Sequence, residues 1–306
     1  MDELKTLTYE VDGRVARITL NRPRRGNGIT LRMPRELSAC VEQADLDPRV
    51  HVIALSGNGK GFCGGYDLVA SAERLTDGKA EPSSIGAEYL AESGTPPGSA
   101  IDPAVSARNH DPSETWDPMT DYQMMSRNVR GFMSLFFANK PVVCKVQGFC
   151  VAGGTDMALC SDLLVIAEDA KIGYPPARVW GTPTTNLWVQ RVGLQRAKRL
   201  LFTGDLISGA EAADWGLAIE AAPADALDAR FDALVQRMAR LPINQLIMHK
   251  LMLNQSVLGG GVQSAQVLST VFDGIARHTP EGYAFQQRAA EAGFKTAVHE
   301  RDAPFE

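Results

Sequence analysis

The stretch VVCKVQGFCVAGGTDMALCSDLLVIA, residues 142–167, decides the fold class. Its first segment, PVVCKVQ at 141–147, is an apolar run that predicts a buried strand. A turn and the small residues of VAGGTDMALC then predict the start of a helix, and DLLVIA predicts a second strand. This cycle of strand, helix and strand is typical of α/β proteins, so we expect that class here.

The residues before this stretch predict further β structure and then a long loop. LTYEV and RVARITL flank Asp12 and Gly13, which favour a tight hairpin turn. Thr30 is a candidate cap for a helix through Asp45, and the buried run HVIALS follows at 51–56. Residues 69–121 have no sustained periodicity and contain six prolines, which predicts a loop that is either functional or disordered. We expect the next helix at 121–139.

The residues after the stretch predict mostly helices. We expect them near 184–202, 208–215, 223–240, 242–257, 260–277 and 280–293, with a short strand LAIEAA at 217–222. No linker separates two cores, so a single domain is favoured. The predicted organisation is an α/β core at 1–223, with an insertion at about 69–121, followed by a helical oligomerisation region at 224–306.

Composition excludes several classes of partner. The chain has 306 residues with 36 acids against 31 bases, a net charge of −5 and no basic stretch, so a nucleic acid or an anionic membrane surface is not indicated. The acidic N-terminus and the short apolar run at 132–138 predict neither a signal nor a membrane anchor. Five cysteines without a CxxC pair predict reduced thiols and no metal site. We therefore expect a cytoplasmic protein that acts on small molecules.

Common catalytic motifs are absent from the sequence. Gly57 to Gly61 is not a Walker A loop, because Ala54 and Gly61 occupy the positions that need glycine and Ser or Thr. GxSxG, HExxH and a helix-opening GxGxxG are also missing. The five histidines lie far apart and are interpreted as surface or packing residues.

Two glycine-rich turns remain, and each follows an apolar strand. They are FCGGYD at 62–67 and GFCVAGGTD at 148–156. A backbone N–H freed at such a turn can donate to a developing oxyanion, and two donors from separate turns form an oxyanion hole. Taken singly, either turn could instead serve only tight packing of strand against helix.

Four ordered segments resemble the crotonase family, the enoyl-CoA hydratase and isomerase superfamily. They are ITLNRPRRGNGIT at 18–30, ALSGNGKGFCGGYDL at 54–68, the stretch at 142–176 that ends in KIGYPP, and LLFTGDLISGAEAADWGLAIEAAP at 200–223. The resemblance covers about residues 11–293. It implies a crotonase-like (ClpP/crotonase) spiral of ββα units with a helical C-terminal region, homotrimers or hexamers, and acyl-CoA thioester substrates.

The resemblance also implies roles for individual residues. The oxyanion donors would be the backbone N–H groups of Tyr66 and Gly153, and the catalytic acid or base would be Asp156. Gly65, Asp67 and Gly154 in the two turns would contact the substrate, and Arg24 and Arg25 lie where the family's first turn passes the coenzyme A phosphates, although a solvated pair is the simpler interpretation. Candidate residues for an acyl pocket are Trp116, Met124, Met125, Trp180 and Trp188, although aromatic and Met residues at helical spacing are usually core residues. No metal and no cofactor other than the substrate's own coenzyme A is implied.

One position departs from the family. Hydratases of this family usually carry glutamate where this chain has Asp156, and a second glutamate in a segment that here reads Tyr174, Pro175 and Pro176. Hydration needs one group to activate water and one to protonate the α carbon, and proline can do neither. Glu114, Asp117 and Asp121 are candidate substitutes, although solvated surface acids are the simpler interpretation.

The sequence thus predicts enolate chemistry on an acyl-CoA thioester, with enoyl-CoA hydratase, a lyase, as the best single assignment. An enoyl-CoA isomerase or an acyl-CoA thioester hydrolase that uses Asp156 alone is the alternative. The rival from another class is a non-catalytic acyl-CoA-binding protein. Turnover of an enoyl thioester distinguishes the enzymes from the binding protein.

Overall fold

The computed structural model describes residues 3–67 and 96–305. Most of the predicted insertion at about 69–121 therefore lies outside the described residues, and only its last part, from residue 96, can be compared with the structure. No helix in the described residues is long and apolar enough to cross a membrane.

A six-stranded sheet forms the centre of the fold. Its order is β1-β2-β3-β4-β6-β9. β1 and β2 form the predicted antiparallel hairpin, in which Asp12 pairs with Val15, and the other neighbouring strands are parallel. The strands are β1 Leu7–Asp12, β2 Val15–Leu20, β3 Val52–Gly57, β4 Val142–Val146, β6 Leu163–Ala167 and β9 Glu220–Ala222. The α/β class predicted from 142–167 is confirmed.

A second, three-stranded sheet includes part of the glycine-rich turn at 148–156 and lies beside the turn at 62–67. It consists of β5 Phe149–Val151, β7 Lys171–Gly173 and β8 Leu206–Ser208, in the order β5-β7-β8. β5 occupies part of the segment predicted as a plain turn. β5 lies within the second glycine-rich turn, 148–156, and ends two residues before Gly153.

Helices cover the central sheet and form the C-terminal region. Their bounds are α1 Met33–Leu46, α2 Pro103–Asn109, α3 Pro118–Phe137, α4 Gly153–Ala158, α5 Trp188–Thr203, α6 Gly209–Asp214, α7 Leu227–Ala239, α8 Ile243–Leu258, α9 Val262–Arg277, α10 Pro280–Ala292 and α11 Phe294–Asp302. α9 packs directly on α3, which brings the C-terminal region against the core.

The expectation of an unstructured loop up to residue 121 is wrong over its last part. α2 and α3 both begin there, each with proline in its first turn and an aspartate, Asp102 or Asp117, whose side chain caps it. Proline fits the first turn of a helix because the N–H that it lacks has no partner there. Pro103 and Pro118 therefore mark helix starts rather than breaks.

Several predicted bounds also differ. The helix predicted from 184 begins at Trp188, the strand predicted at 217–222 is only Glu220–Ala222, and α11 was not predicted. Thr30 accepts a hydrogen bond from the Met33 N–H at 3.3 Å, so it lies just before α1, which starts two residues later than predicted.

Candidate active site

The two glycine-rich turns lie side by side. Cys63 and Cys150 form an isolated parallel bridge, and the Val151 N–H donates to the Cys63 carbonyl at 3.0 Å. A second bridge joins Ile29 to Tyr66. The turn at 62–67 is thereby held between the loop after β2 and the end of β5.

The two predicted oxyanion donors are neighbours in space. A Cβ added to Gly65 would lie 3.4 Å from the Gly153 nitrogen, and the Gly65 carbonyl carbon is bonded to the Tyr66 nitrogen. Within the described residues, neither the Tyr66 nor the Gly153 N–H donates a hydrogen bond. Two adjacent backbone donors without an acceptor are what an oxyanion hole requires.

Close packing explains why glycine recurs in these turns. Gly65 has φ +93°, and a Cβ there would lie 2.8 Å from the Ala152 Cβ. A Cβ on Gly153 would lie 2.8 Å from Cε2 of Tyr66, and one on Gly154 would lie 2.5 Å from the Cys63 carbonyl oxygen. Any side chain at these positions would push the two turns apart.

Ala152 precedes Gly153 in a strained backbone conformation. Its φ is 53° and its ψ is −130°, a region that residues with a Cβ rarely adopt. Backbone strain of this kind costs on the order of 1–3 kcal/mol and persists only where the surroundings enforce it. Here it orients the peptide that carries the Gly153 N–H.

Asp67 anchors the first turn instead of facing the second. Its carboxylate accepts from Arg22 at 2.7 Å and from Arg25 at 3.0 Å, and its side chain is only 6% exposed. Arg25 is thus already paired with a carboxylate. Arg24 is exposed and forms no ion pair with any described residue.

Asp156 lies one helical turn beyond the Gly153 amide, on α4, and is buried. Its Oδ1 accepts from the Thr185 N–H at 3.0 Å and from the Thr185 hydroxyl at 2.8 Å, while its Oδ2 has only a long contact, 3.4 Å, from the Thr184 hydroxyl. Burial raises the pKa of Asp156 to about 7 against these hydrogen bonds. A carboxyl with that pKa can both accept and donate a proton near neutral pH.

Two tyrosine hydroxyl groups lie near this carboxylate. Burial, and then the charges of Asp156 and Asp273, raise the pKa of both Tyr66 and Tyr174 well above the usual value. The Tyr66 hydroxyl and the Asn128 side-chain oxygen are buried without an aligned hydrogen bond to any described residue. The Asn128 side chain lies close enough to the Tyr66 hydroxyl to oppose the rise of its pKa, so these two polar groups are neighbours in the buried region near Asp156.

α9 contributes a second carboxyl that the sequence reasoning did not select. Its residues Gln266, Thr270, Asp273 and Arg277 recur at helical spacing and face inward, whereas Val267, Leu268, Phe272 and Ile275 are exposed. The helix is amphipathic with its polar face on the inside. That inverted pattern is visible in the sequence and could have identified Asp273.

The predicted substitute acids have other partners. Asp117 caps α3, and Glu114 is exposed. Asp121 is 2% exposed, and it accepts from Trp116 Nε1 at 2.7 Å and pairs with Arg277 at 3.0 Å. Their predicted role stays untested.

The predicted acyl-pocket residues divide between two regions. Met125 is buried beside Asn128, whose amide donates to its sulfur at 3.8 Å. Trp188 is in the main core, and the Trp180 ring packs on Phe285 at 5.4 Å between centroids. Trp180 therefore belongs to a small cluster of the C-terminal helices. Among the described residues no group of three His, Cys, Asp or Glu could hold a metal ion.

Comparisons with known proteins confirm the predicted crotonase-like fold class. A family model described as enoyl-CoA hydratase/isomerase matches residues 113–285, and a second model with that description matches residues 15–93. A crystal structure of enoyl-CoA hydratase from Mycobacterium smegmatis is 56% identical, covers 99% of this chain and 95% of its own, and superposes with a TM-score of 0.88.

More distant relatives carry similar names. EchA13 of Mycobacterium tuberculosis, which has an enoyl-CoA hydratase name, is 30% identical over 273 residues, 86% of this chain and 78% of that protein. The crystal structure of an enoyl-CoA hydratase/isomerase from Xanthobacter autotrophicus Py2 is 25% identical, covers 99% of this chain and 100% of its own, and has a TM-score of 0.78.

Proposed function

This chain belongs to the enoyl-CoA hydratase/isomerase family, and on that premise we propose that it is a lyase that adds water to an enoyl-CoA thioester. The observation that carries the proposal is the adjacent pair of unpartnered amides, Tyr66 and Gly153, with Asp156 one turn away. Two donors at one oxygen lower the energy of an enolate of a thioester.

The reaction needs only groups of this chain and water. The thioester carbonyl oxygen accepts from the two amides, which favours electron flow from the C=C bond onto that oxygen. The water oxygen bonds to the β carbon as its proton passes to a carboxylate, and a carboxyl group delivers a proton to the α carbon. The product is a 3-hydroxyacyl-CoA, and Asp156 is one of the two carboxyl groups.

The test is turnover of crotonyl-CoA and longer 2-enoyl thioesters by the purified full chain, followed by loss of the enoyl absorbance. Binding of acetoacetyl-CoA, with growth of its enolate absorbance in the near ultraviolet, reports the oxyanion hole without turnover. Hydration together with that enolate signal supports the proposal. Tight binding of acyl-CoA with neither signal would make the protein a binding protein instead.

Pro176 favours a second candidate, an enoyl-CoA isomerase. Moving a double bond requires one group to shuttle a proton between two carbons, so Asp156 alone suffices. A thioester hydrolase is the other single-carboxyl alternative. Conversion of a 3-enoyl to a 2-enoyl thioester without hydration would identify the isomerase, and release of free coenzyme A would identify the hydrolase.

The same proposal includes how the protein binds coenzyme A and where in the cell the protein is located. Exposed Arg24 lies at the loop after β2, where a phosphate of the substrate can reach it, and Arg25 contributes charge while it stays on Asp67. The predictions of no resident cofactor and of a cytoplasmic location stand with it as proposals.

A homotrimer, or a dimer of trimers, is proposed from the exposed apolar residues of the C-terminal helices. α8 and α9 together expose Met248, Leu251, Met252, Leu253, Val267, Leu268, Phe272 and Ile275. Exposed apolar residues on two helices that pack on each other are typical of an interface between subunits. Light scattering should give a mass of three or six chains, and Leu268→Glu should reduce it, whereas a monomeric wild-type protein at micromolar concentration would contradict the proposal.

A further inference from the structure

The proposed hydration requires two proton-transfer groups, and the family position at residue 176 cannot supply one. The structure shows what lies at that place. A Cβ added to Gly181 would be 3.4 Å from Cβ of Pro176, 3.5 Å from Oδ1 of Asp273 and 3.6 Å from the Tyr174 hydroxyl oxygen. The Asp273 carboxylate therefore lies close to Pro176 and to the Tyr174 hydroxyl. The charge of Asp156 also raises the pKa of Tyr174.

The contacts of Asp273 leave acceptor capacity unused. Its Oδ1 accepts from the Thr182 N–H at 3.4 Å, and its Oδ2 lies 3.4 Å from an Arg277 nitrogen. Both distances are long for hydrogen bonds of a charged carboxylate, which are usually about 2.7–2.9 Å. The same Arg277 nitrogen lies nearer to Asp121, at 3.0 Å.

A carboxylate in this position carries an energetic cost. Asp273 is 7% exposed and burial raises its pKa, although Arg277 opposes the shift. A buried charge with weak contacts is poorly compensated, and Asn or Ser would avoid much of that cost. A poorly compensated carboxylate beside the buried Tyr174 hydroxyl favours a role in chemistry over a role in stability.

We propose that Asp273 is the second proton-transfer carboxyl of the site, facing Asp156 across the space that the Tyr66 and Tyr174 hydroxyl groups border. The inference rests on the proposed function. One of the two aspartates takes a proton from water as its oxygen bonds to the β carbon. The other gives its proton to the α carbon, so the product takes its hydroxyl oxygen and one proton from water and its second proton from that aspartate. The first aspartate is left protonated and the second ionised, and transfer of the proton from the first to the second restores the starting state.

The experiment compares four variants of the full chain with wild type on crotonyl-CoA. Asp273→Asn removes proton transfer and keeps the size of the side chain, and Asp273→Glu retains a carboxyl. Arg277→Gln removes the partner of Asp273 but leaves its carboxyl in place. Asp205→Asn is the matched control, since Asp205 is another aspartate paired with an arginine, at 3.5 Å from Arg178.

We expect Asp273→Asn to lower kcat by about 100-fold or more, the usual contribution of a positioned acid or base. KM should change less than threefold. The kcat of Asp273→Glu should be at least tenfold higher than that of Asp273→Asn. The kcat of Arg277→Gln should be less than tenfold below wild type, and the kcat of Asp205→Asn should equal that of wild type. Melting temperatures, followed by circular dichroism, identify any variant that fails to fold.

Two failures are distinguishable. An active wild type whose Asp273→Asn variant keeps kcat within threefold overturns the role of Asp273 and leaves the hydratase proposal intact. Equal losses in Asp273→Asn and Arg277→Gln would also overturn it, because they would show that the ion pair alone matters. A wild type that hydrates no enoyl thioester overturns the proposed function and this inference together.

Discussion

The buried carboxyl of Asp156 should make the protein less stable as the pH rises, and Asp156→Asn should remove that loss. In the folded protein burial raises the pKa of Asp156 from 3.8 to about 7. Between these two values the unfolded chain releases the proton while the folded chain retains it. The unfolded state binds fewer protons in this window, so the free energy of unfolding falls with rising pH and is constant above about 7.

The magnitude follows from the size of the shift. A difference of about 3 pH units, at about 1.4 kcal/mol each, gives about 4 kcal/mol across the whole window for the fully buried group. About 2 pH units of this window, from pH 5 to about 7, fall between pH 5 and pH 8, so the free energy of unfolding should fall by about 3 kcal/mol over that range. Asparagine keeps an oxygen for the Thr185 N–H and hydroxyl, and its amide can donate to the Thr184 hydroxyl, so the local packing is preserved.

The assay is urea unfolding of wild type and Asp156→Asn at fixed protein concentration, from pH 5 to pH 8. From pH 5 to pH 8, the free energy of unfolding of the variant minus that of wild type should increase by about 3 kcal/mol, because every other titrating group is common to both proteins. Turnover should fall about 100-fold or more. A difference in stability that does not change with pH would refute the reasoning, since it would mean that Asp156 is ionised in the fold at pH 5.

Two further predictions concern the second glycine turn. Ala152→Gly should raise the free energy of unfolding by about 1 kcal/mol by relieving the backbone at φ 53°, and a lower urea midpoint would contradict that explanation. Gly153→Ala should cost about 1–3 kcal/mol, because the new Cβ meets the Tyr66 ring at 2.8 Å. In a Tyr66→Ala background the same substitution should cost less than half as much, and an equal cost in both backgrounds would show that the ring is not the obstacle.

Local sequence predicted the features that depend on local chemistry. The Asp12-Gly13 hairpin, the strands on either side of the small-residue helix and the two glycine turns are all where periodicity and turn residues put them. Prolines were the exception, because a proline that breaks one helix is the best first residue of another. The aspartates directly before Pro103 and Pro118 are the cue that distinguishes the two cases.

The second half of the site depends on tertiary contacts that spacing cannot reveal. Asp273 is 117 residues after Asp156 in the sequence. The packing of α9 on α3, together with hydrogen bonds that join α9 to Thr182 and Thr185, brings it to the surroundings of Pro176. The position of that helix is not encoded locally. The polar face of α9 can be read from the local sequence, since Gln266, Thr270 and Asp273 recur at helical spacing on the side opposite Leu268.

Taken together, the proposed trimer and the proposed role of Asp273 imply that activity depends on protein concentration, because α9 carries residues of both on opposite faces. The helix places Asp273 towards the site and Leu268 towards the surface that the trimer is proposed to bury, and these residues are separated by about one helix diameter, roughly 10 Å. Association with other subunits stabilises the bound conformation by mass action. On dilution below the dissociation constant of the oligomer, a separated subunit would lose the restraint on one face of the helix that carries its second acid. Activity per chain would then decline with dilution even though every reacting group belongs to the same polypeptide.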